Sequence, residues 1–156
     1  MENNFNYGSY GYIATLDFNT AEKFVSVEPR VSVQYMQQAI EKILKHYLCI
    51  STPNKAILHT NNLVSLINKS NLPDLKPYWR TLALLSQCYF DGRYPSLDYM
   101  EPTVEEAEEL LEDVKQVFKI VLSAIDSYQP SISSINLSQT ESSDMFLKVF
   151  KEKQSE

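Results

Sequence analysis

The sequence is poor in the residues that build metal sites, disulfides and phosphate-binding loops. Its 156 residues include two cysteines, two histidines and three glycines. Cys49 and Cys88 form neither a CxxC pair nor a cluster with zinc spacing, so we expect two small core side chains. The three glycines, at positions 8, 11 and 92, do not have the spacing of a P-loop or a GxGxxG turn. We therefore predict no metal site and no cofactor.

Long apolar runs and an excess of positive charge are also missing. No run is long enough for a membrane span. The net charge of −6 disfavours general binding to DNA or another polyanion. Residues 1–12 carry no basic region followed by an apolar run, so we expect no secretory signal and a cytoplasmic location.

Apolar residues that recur at intervals of three and four dominate the rest of the chain and predict amphipathic helices. Thr103 and Glu106 form a capping box that opens the longest of them, which we expect to end near Ile125. No strand-like alternation is present. We predict an all-α, antiparallel up-and-down bundle of four or five helices, with earlier helices over 17–27, from Pro29 to Pro53, from a Thr60 or Asn61 cap, and from Leu75 to Tyr89.

Composition divides the chain into four parts. We predict a loosely packed lead over 1–16, a helical bundle over 17–125, a Ser-rich linker over 126–143 and an amphipathic tail helix over 144–156. The tail helix is too short to be stable alone, so we expect it to dock on an apolar groove of its own bundle or of a neighbour. Its apolar residues are Met145, Phe146, Val149 and Phe150.

The negative charge is concentrated at the start of the long helix. Residues 101–126 hold eight acidic and two basic side chains. A divalent cation could bind there, but a solvated face favoured by the helix dipole explains the run without a ligand.

Three segments, in this order, resemble the HEPN domain family. Residues 37–45 are similar to the family's QAxEKxLK helix, and residues 59–66 to its H-x-L-xx-L helix start. Arg93-Tyr94-Pro95, followed by residues 103–114, resembles the family's RYP loop and Glu/Ala-rich last helix. Each motif is weak alone, but their order and spacing make the match specific.

The resemblance implies a helical bundle that usually dimerises. Domains of this kind often occur beside a minimal nucleotidyltransferase, as a partner or a fusion. Some are ribonuclease toxins, and some have been assigned nucleotide binding. We therefore expect a homodimer with a nucleotidyltransferase partner or a bound nucleotide.

One family motif is missing. Ribonuclease members carry an Arg, four to six residues, then a His. Neither His46 nor His59 has an Arg at that distance before it. The sequence thus predicts no catalytic residue and a non-catalytic module. The alternative is a ribonuclease toxin with an altered active site.

The strongest ligand-binding candidates lie in two loops and on one helix. Arg93 and Tyr94 could grip a phosphate, although Arg93 could equally pair with a carboxylate at Glu105, Glu106 or Glu109. His59 could donate to a phosphate near a helix start, or fix its loop through the backbone. The helix candidates are Gln38, Lys42 and Lys45, which could line a nucleotide pocket. Alternatively, Lys45 forms an ordinary i,i+4 pair with Glu41, and Lys42 is a solvated surface residue.

Two further groups have a favoured structural interpretation. His46 lies on the polar flank of its predicted helix, where we expect solvent exposure or a carboxylate partner. An aromatic band could stack a base, but aromatic residues at helical spacing more often form core and dimer contacts. The band consists of Tyr78, Trp79, Tyr89 and Phe90.

Overall fold

In the computed structural model of the chain, residues 5–53, 55–91 and 101–132 are described. Five α-helices form the fold, and no strand occurs within these ranges, which confirms the predicted all-α bundle. The helices are α1 (Tyr10–Phe24), α2 (Pro29–Ser51), α3 (Leu63–Ser70), α4 (Trp79–Asp91) and α5 (Val104–Ile132). Two short 3-10 helices, Lys55–His59 and Pro73–Tyr78, precede α3 and α4.

Helix α2 is the centre of the bundle, and the other four α-helices all pack on it. α1 runs antiparallel to α2, because Gly11 contacts His46 near the end of α2 while Ala21 contacts Ser32 near its start. Phe18 and Phe118 pack in the core with ring centroids 4.9 Å apart. Burying a side chain of this size contributes about 1.5–3 kcal/mol.

Helix α1 begins at Tyr10, earlier than the predicted start at residue 17, and ends at Phe24 rather than at 27. Gly11 lies in the loosely packed lead that was predicted over 1–16. Instead Gly11 is buried inside the helix, where an added Cβ would lie 2.6 Å from the Phe5 ring. Ser9 caps the helix by accepting a hydrogen bond from the Tyr12 N–H. Part of the predicted lead is therefore helical.

The N-terminal boundaries of α2 and α5 were predicted well. Pro29 stands in the first turn of α2, where its missing N–H costs nothing. The capping box is formed: the Glu106 N–H donates to Thr103 Oγ1 at 3.2 Å, and the Thr103 N–H donates to the Glu106 carboxylate at 2.9 Å. Both boundaries are set by residues close to them in sequence, so they can be predicted from the sequence alone.

Three other boundaries were placed wrongly. Asn62, and not Thr60 or Asn61, caps α3 by accepting from the Ser65 N–H. α4 begins at Trp79, since the segment with Pro73 and Pro77 forms a 3-10 helix instead. α5 continues to Ile132, into the predicted linker, where Tyr128 packs edge-on against Tyr47 of α2. The tail helix predicted over 144–156 lies outside the described residues.

Candidate functional site

Helix α2 carries a band of polar side chains that includes three predicted ligand-binding residues. Gln38, Lys42 and Lys45 are all half-buried or buried. The structure does not gather them into one pocket. It divides them between a cluster facing α1 and a chain of contacts running towards α3.

The Asp17 cluster consists of Asp17, Gln38 and Lys42. Lys42 Nζ forms an ion pair with the buried carboxylate of Asp17 across the α1–α2 interface. Lys42 also donates to Gln38 Oε1 at 3.2 Å. The structural alternative predicted for Lys42 was a solvated side chain. Lys42 is instead a cross-helix partner, because α1 brings a carboxylate to it.

The second group, the α2 polar chain, consists of Gln37, Glu41, Lys45 and Asn61. Lys45 Nζ donates to Glu41 Oε1 at 2.7 Å and to Asn61 Oδ1 at 3.0 Å. Gln37 Nε2 donates to the other Glu41 oxygen at 3.1 Å. The Lys45 side chain is only 6% exposed, and Gln37 is fully buried. The i,i+4 pair of Glu41 and Lys45 was predicted, but its burial was not.

One atom of the α2 polar chain lacks a hydrogen-bond partner among the described residues. This atom is Gln37 Oε1, which is buried. The orientation of the Gln37 amide is fixed because its nitrogen donates a hydrogen bond to the Glu41 carboxylate. A buried acceptor without a donor costs about 1–3 kcal/mol unless a water molecule satisfies it.

The charges in both groups cancel. Each lysine has a carboxylate of its own, Asp17 for Lys42 and Glu41 for Lys45. An anionic phosphate would have to displace a carboxylate that is already in contact with the cation. The arrangement is therefore suited to holding helices together rather than to binding an anion.

His46 differs from its prediction. It accepts a hydrogen bond at Nδ1 from the Gly11 N–H at 3.0 Å, and its ring lies edge-on to Phe5 at 4.8 Å. It is half-buried, and no carboxylate among the described residues forms an ion pair with it. Accepting at Nδ1 requires a neutral ring with the proton on Nε2. Burial lowers the pKa of His46, which favours the same neutral form.

His59 ends the 3-10 helix Lys55–His59 and is exposed. It does not cap α3, since Asn62 fills that position. His59 lies two residues before Asn61, whose side chain contacts Lys45. The proposed role of His59 in binding a phosphate stays a prediction.

Arg93 and Tyr94 lie outside the described residues, as does any pairing of Arg93 with the glutamates of α5. The described residues on either side of this segment border a groove between α4 and α5, of about 480 Å³. Cys88 precedes the segment, and Glu101 and Pro102 follow it. Gln38, Lys42 and Lys45 do not line this groove.

The predicted aromatic band is only partly described. Tyr78 is half-buried and packs against the core, whereas Trp79 is 42% exposed. The side chains of Tyr89 and Phe90 lie outside the description. Among the residues that the structure describes, no group of three His, Cys, Asp or Glu side chains could hold a metal ion. In the same part of the chain, no helix is long and apolar enough to cross a membrane.

Sequence reasoning missed Asp17, Gln37 and Asn61. Gln37 did carry a signal, because it lies four residues after Val33 and three before Ile40, in the register of the buried stripe. A glutamine at such a position needs a polar partner inside the protein. Asp17 and Asn61 carried no comparable signal, since their partners are 25 and 16 residues away.

The fold is a small all-α bundle in which the ion pair between Asp17 and Lys42 joins α1 to the central helix α2. The chain belongs to the HEPN family, since the family model described as HEPN domain matches residues 12–124. No curated protein and no solved structure matches the chain significantly.

Proposed function

We propose that this chain is a non-catalytic HEPN module that forms a homodimer and acts with a nucleotidyltransferase partner. The absence of catalysis is supported by the sequence context of the two histidines and by the hydrogen bond of His46. Neither His46 nor His59 follows an Arg at the ribonuclease spacing. His46, in addition, uses Nδ1 to accept from the backbone of α1.

A ribonuclease needs a general base that can reach its substrate. His46 is half-buried beneath Phe5, and its lowered pKa reflects burial rather than a neighbouring charge. His59 is accessible, but a lone histidine rarely suffices for the reaction. This distribution supports a module without the family's ribonuclease chemistry.

The paired lysines favour the partner over a nucleotide as the second element of the function. Lys42 and Lys45 were the candidate phosphate contacts on α2, and both are engaged by carboxylates. A nucleotide would then depend on Arg93, Tyr94 and His59. Nucleotide binding is therefore the second candidate, and it predicts a strict dependence on Arg93.

Homodimer formation is supported by large apolar side chains that project from the bundle. Val27 is 74% exposed and Leu16 46% exposed on the α1 side, and Trp79 is exposed on α4. Apolar surface of this kind commonly marks a protein contact. Light scattering of the full chain at micromolar concentration should give about twice 18.0 kDa. A monomeric mass across the concentration range would contradict the dimer.

The catalytic part of the proposal is tested with purified full-length chain and defined RNA substrates. Transfer and messenger RNA incubated with it should give the same pattern as buffer alone. The controls are His59→Ala and Arg93→Ala. Cleavage by the unmodified chain that disappears in either variant would instead establish the ribonuclease alternative.

The partner is tested by co-expression with a nucleotidyltransferase encoded next to this chain. The two proteins should elute together at a fixed ratio. Separate elution, combined with nucleotide binding that is lost in Arg93→Ala, would replace the partner with the nucleotide.

A further inference from the structure

The first turn of α1 is capped by a side chain from another helix. The N–H groups at the start of an α-helix have no acceptor within that helix. Ser9 Oγ accepts from the Tyr12 N–H at 3.2 Å, whereas the Gly11 N–H donates to His46 Nδ1 of α2 at 3.0 Å. Part of the cap of α1 therefore comes from a residue 35 positions further along the chain.

A turn before α1 brings Phe5 against this hydrogen bond. Gly8 in the turn has a φ of 76°, in the left-handed region that glycine adopts without strain. The Phe5 ring lies so close to Gly11 that an added Cβ would stand 2.6 Å from it. The same ring meets His46 edge-on, with centroids 4.8 Å apart. Phe5 thus packs on both partners of the hydrogen bond.

The closed arrangement needs an uncharged His46 ring. A proton on Nδ1 would turn the acceptor into a donor that faces the Gly11 N–H. It would also place a positive charge at the positive end of the α1 dipole. Both effects act in the same direction, so protonation of His46 and the hydrogen bond to Gly11 compete with each other.

The other titratable groups near His46 do not offset a charge on its ring. The charged groups nearest to it along α2 already have partners, in the pairs Lys42–Asp17 and Lys45–Glu41. The remaining titratable groups on the elements packed against it are phenols and one thiol, on Tyr7, Tyr10, Tyr12, Tyr47 and Cys49. Burial alone lowers the pKa of His46, without a contribution from any of these groups.

We propose that residues 5–11 and His46 form an acid-sensitive latch, in which uptake of a proton by His46 releases residues 5–11 from α2. The remainder of α1 stays in place because its anchors lie beyond the latch. Phe18 is buried in the core, and Asp17 forms an ion pair with Lys42. Release opens the surface of α2 around His46. This inference goes beyond the proposed function and does not depend on it.

Hydrogen exchange of backbone amides in the full chain, followed by NMR, tests whether the latch opens locally. Opening of residues 5–11 exposes little surface, so protection of the Gly11 amide should not change between zero and about 1 M urea. Protection of the Ile43 amide, at a fully buried position of α2, should fall over the same range. Gly11 protection that falls in parallel with that of Ile43 would show that only global unfolding breaks the contact, and would overturn the proposal.

The pH response of the Gly11 amide tests the role of His46. With each rate divided by the intrinsic rate at that pH, Gly11 protection should fall about three- to tenfold between about pH 7 and pH 5.5, since one unit of pKa difference is a factor of ten in the opening equilibrium. His46→Gln keeps an acceptor that gains no proton and should lose this response. The matched control, His59→Gln at the exposed histidine, should keep it. Constant Gly11 protection in the unmodified chain, or an equal response in His46→Gln, would contradict the latch.

A second pair of variants leaves both histidines in place and tests Phe5. Phe5→Ala should lower Gly11 protection at both pH values, because the ring packs on Gly11 and His46. Tyr7→Ala, at a side chain that is 90% exposed on the same segment, should leave the protection unchanged. Equal protection of Gly11 in Phe5→Ala and in the unmodified chain would show that residues 5–11 are not held by this contact.

Discussion

The α1–α2 interface and the α4–α5 groove differ in whether their carboxylates have a partner of opposite charge. At the α1–α2 interface, Asp17 forms an ion pair with Lys42, and the Gly11 N–H donates a hydrogen bond to His46 Nδ1. At the second, Glu106 and Glu109 are exposed along a groove whose described lining contains no basic side chain. The carboxylate at the first interface has a cation as its partner, whereas the carboxylates of the groove have no cation among the described lining residues.

This difference shows why residue type alone is a poor guide to a site in this chain. The histidine and lysines of α2 are the side chains that chemistry or phosphate binding would need, and the fold uses them as internal partners. The glutamates of α5 are common surface residues, but they lie beside exposed apolar area. The groove is therefore the better place to look for an interaction.

The largest expected difference in stability is between variants of two carboxylates, Glu41 in the α2 polar chain and Glu109 in the groove. Glu41→Ala should lower the free energy of unfolding by about 2–4 kcal/mol, because it leaves the nearly buried Lys45 cation without its carboxylate. Glu109→Ala, on the exposed face of α5, should change it by less than about 0.5 kcal/mol. Urea unfolding of both variants measures the contrast. Equal losses would remove the distinction between the regions.

The second effect is a pH dependence that arises from His46. Its pKa is lowered in the folded state by burial, so below the ordinary value of about 6.5 the unfolded chain takes up the proton first. Stability is therefore fully present above that pH and falls as the pH is lowered towards the folded pKa. The slope from this group is at most about 1.4 kcal/mol per pH unit.

Urea unfolding at several pH values between 5.5 and 7.5 checks this dependence. His46→Leu should remove this contribution to the slope. The matched control is His59→Leu, at the exposed histidine of the same chain. A slope that is unchanged in His46→Leu, or one of opposite sign in the unmodified chain, would show that His46 does not act as a neutral acceptor.

The third effect concerns the start of α5. Thr103→Ala removes the hydroxyl that accepts from the Glu106 N–H and should cost about 1 kcal/mol. Thr103→Ser keeps the acceptor and should cost much less. Thermal unfolding of the two variants gives the comparison. Equal melting temperatures would mean that the capping box contributes little.

The smallest effect is expected where α1 and α5 meet at the surface. Lys115 lies 4.0 Å from Glu22 and 2.9 Å from Glu112, and all three side chains are substantially exposed. Lys115→Ala should therefore change the free energy of unfolding by less than about 0.5 kcal/mol, in contrast to Glu41→Ala. A loss above 1 kcal/mol in urea unfolding would place this surface contact in the same class as the buried pair.

Sequence reasoning succeeded where the determining contacts are local. Apolar periodicity gave the helices, the Thr103 capping box gave the start of α5, and the spacing of Glu41 and Lys45 gave their pair. It failed where a partner comes from far along the chain. Gly11 was placed in the loosely packed lead because nothing near it in sequence indicates its hydrogen bond to His46, which is 35 residues away.

The same difference between local and distant contacts applies to the candidate site. Gln38, Lys42 and Lys45 were correctly placed on one helix, but the pairing of Lys42 with Asp17 depends on how α1 packs on α2. Helix packing of this kind is set by many apolar contacts together, and no single spacing encodes it. Gln37 was also missed, although its position in the register of the buried stripe could have indicated its burial.

The central claim is that the fold itself uses the side chains that could perform chemistry, and the protonation state of His46 tests it most directly. Long-range 1H–15N correlation spectra across a pH titration report the tautomer and the pKa of each histidine ring. The account predicts that His46 is neutral at pH 7, with its proton on Nε2 and an acceptor Nδ1, and that its pKa lies below 6.5. A His46 ring with its proton on Nδ1, or with a pKa above 6.5 that shifts when RNA is added, would contradict the account.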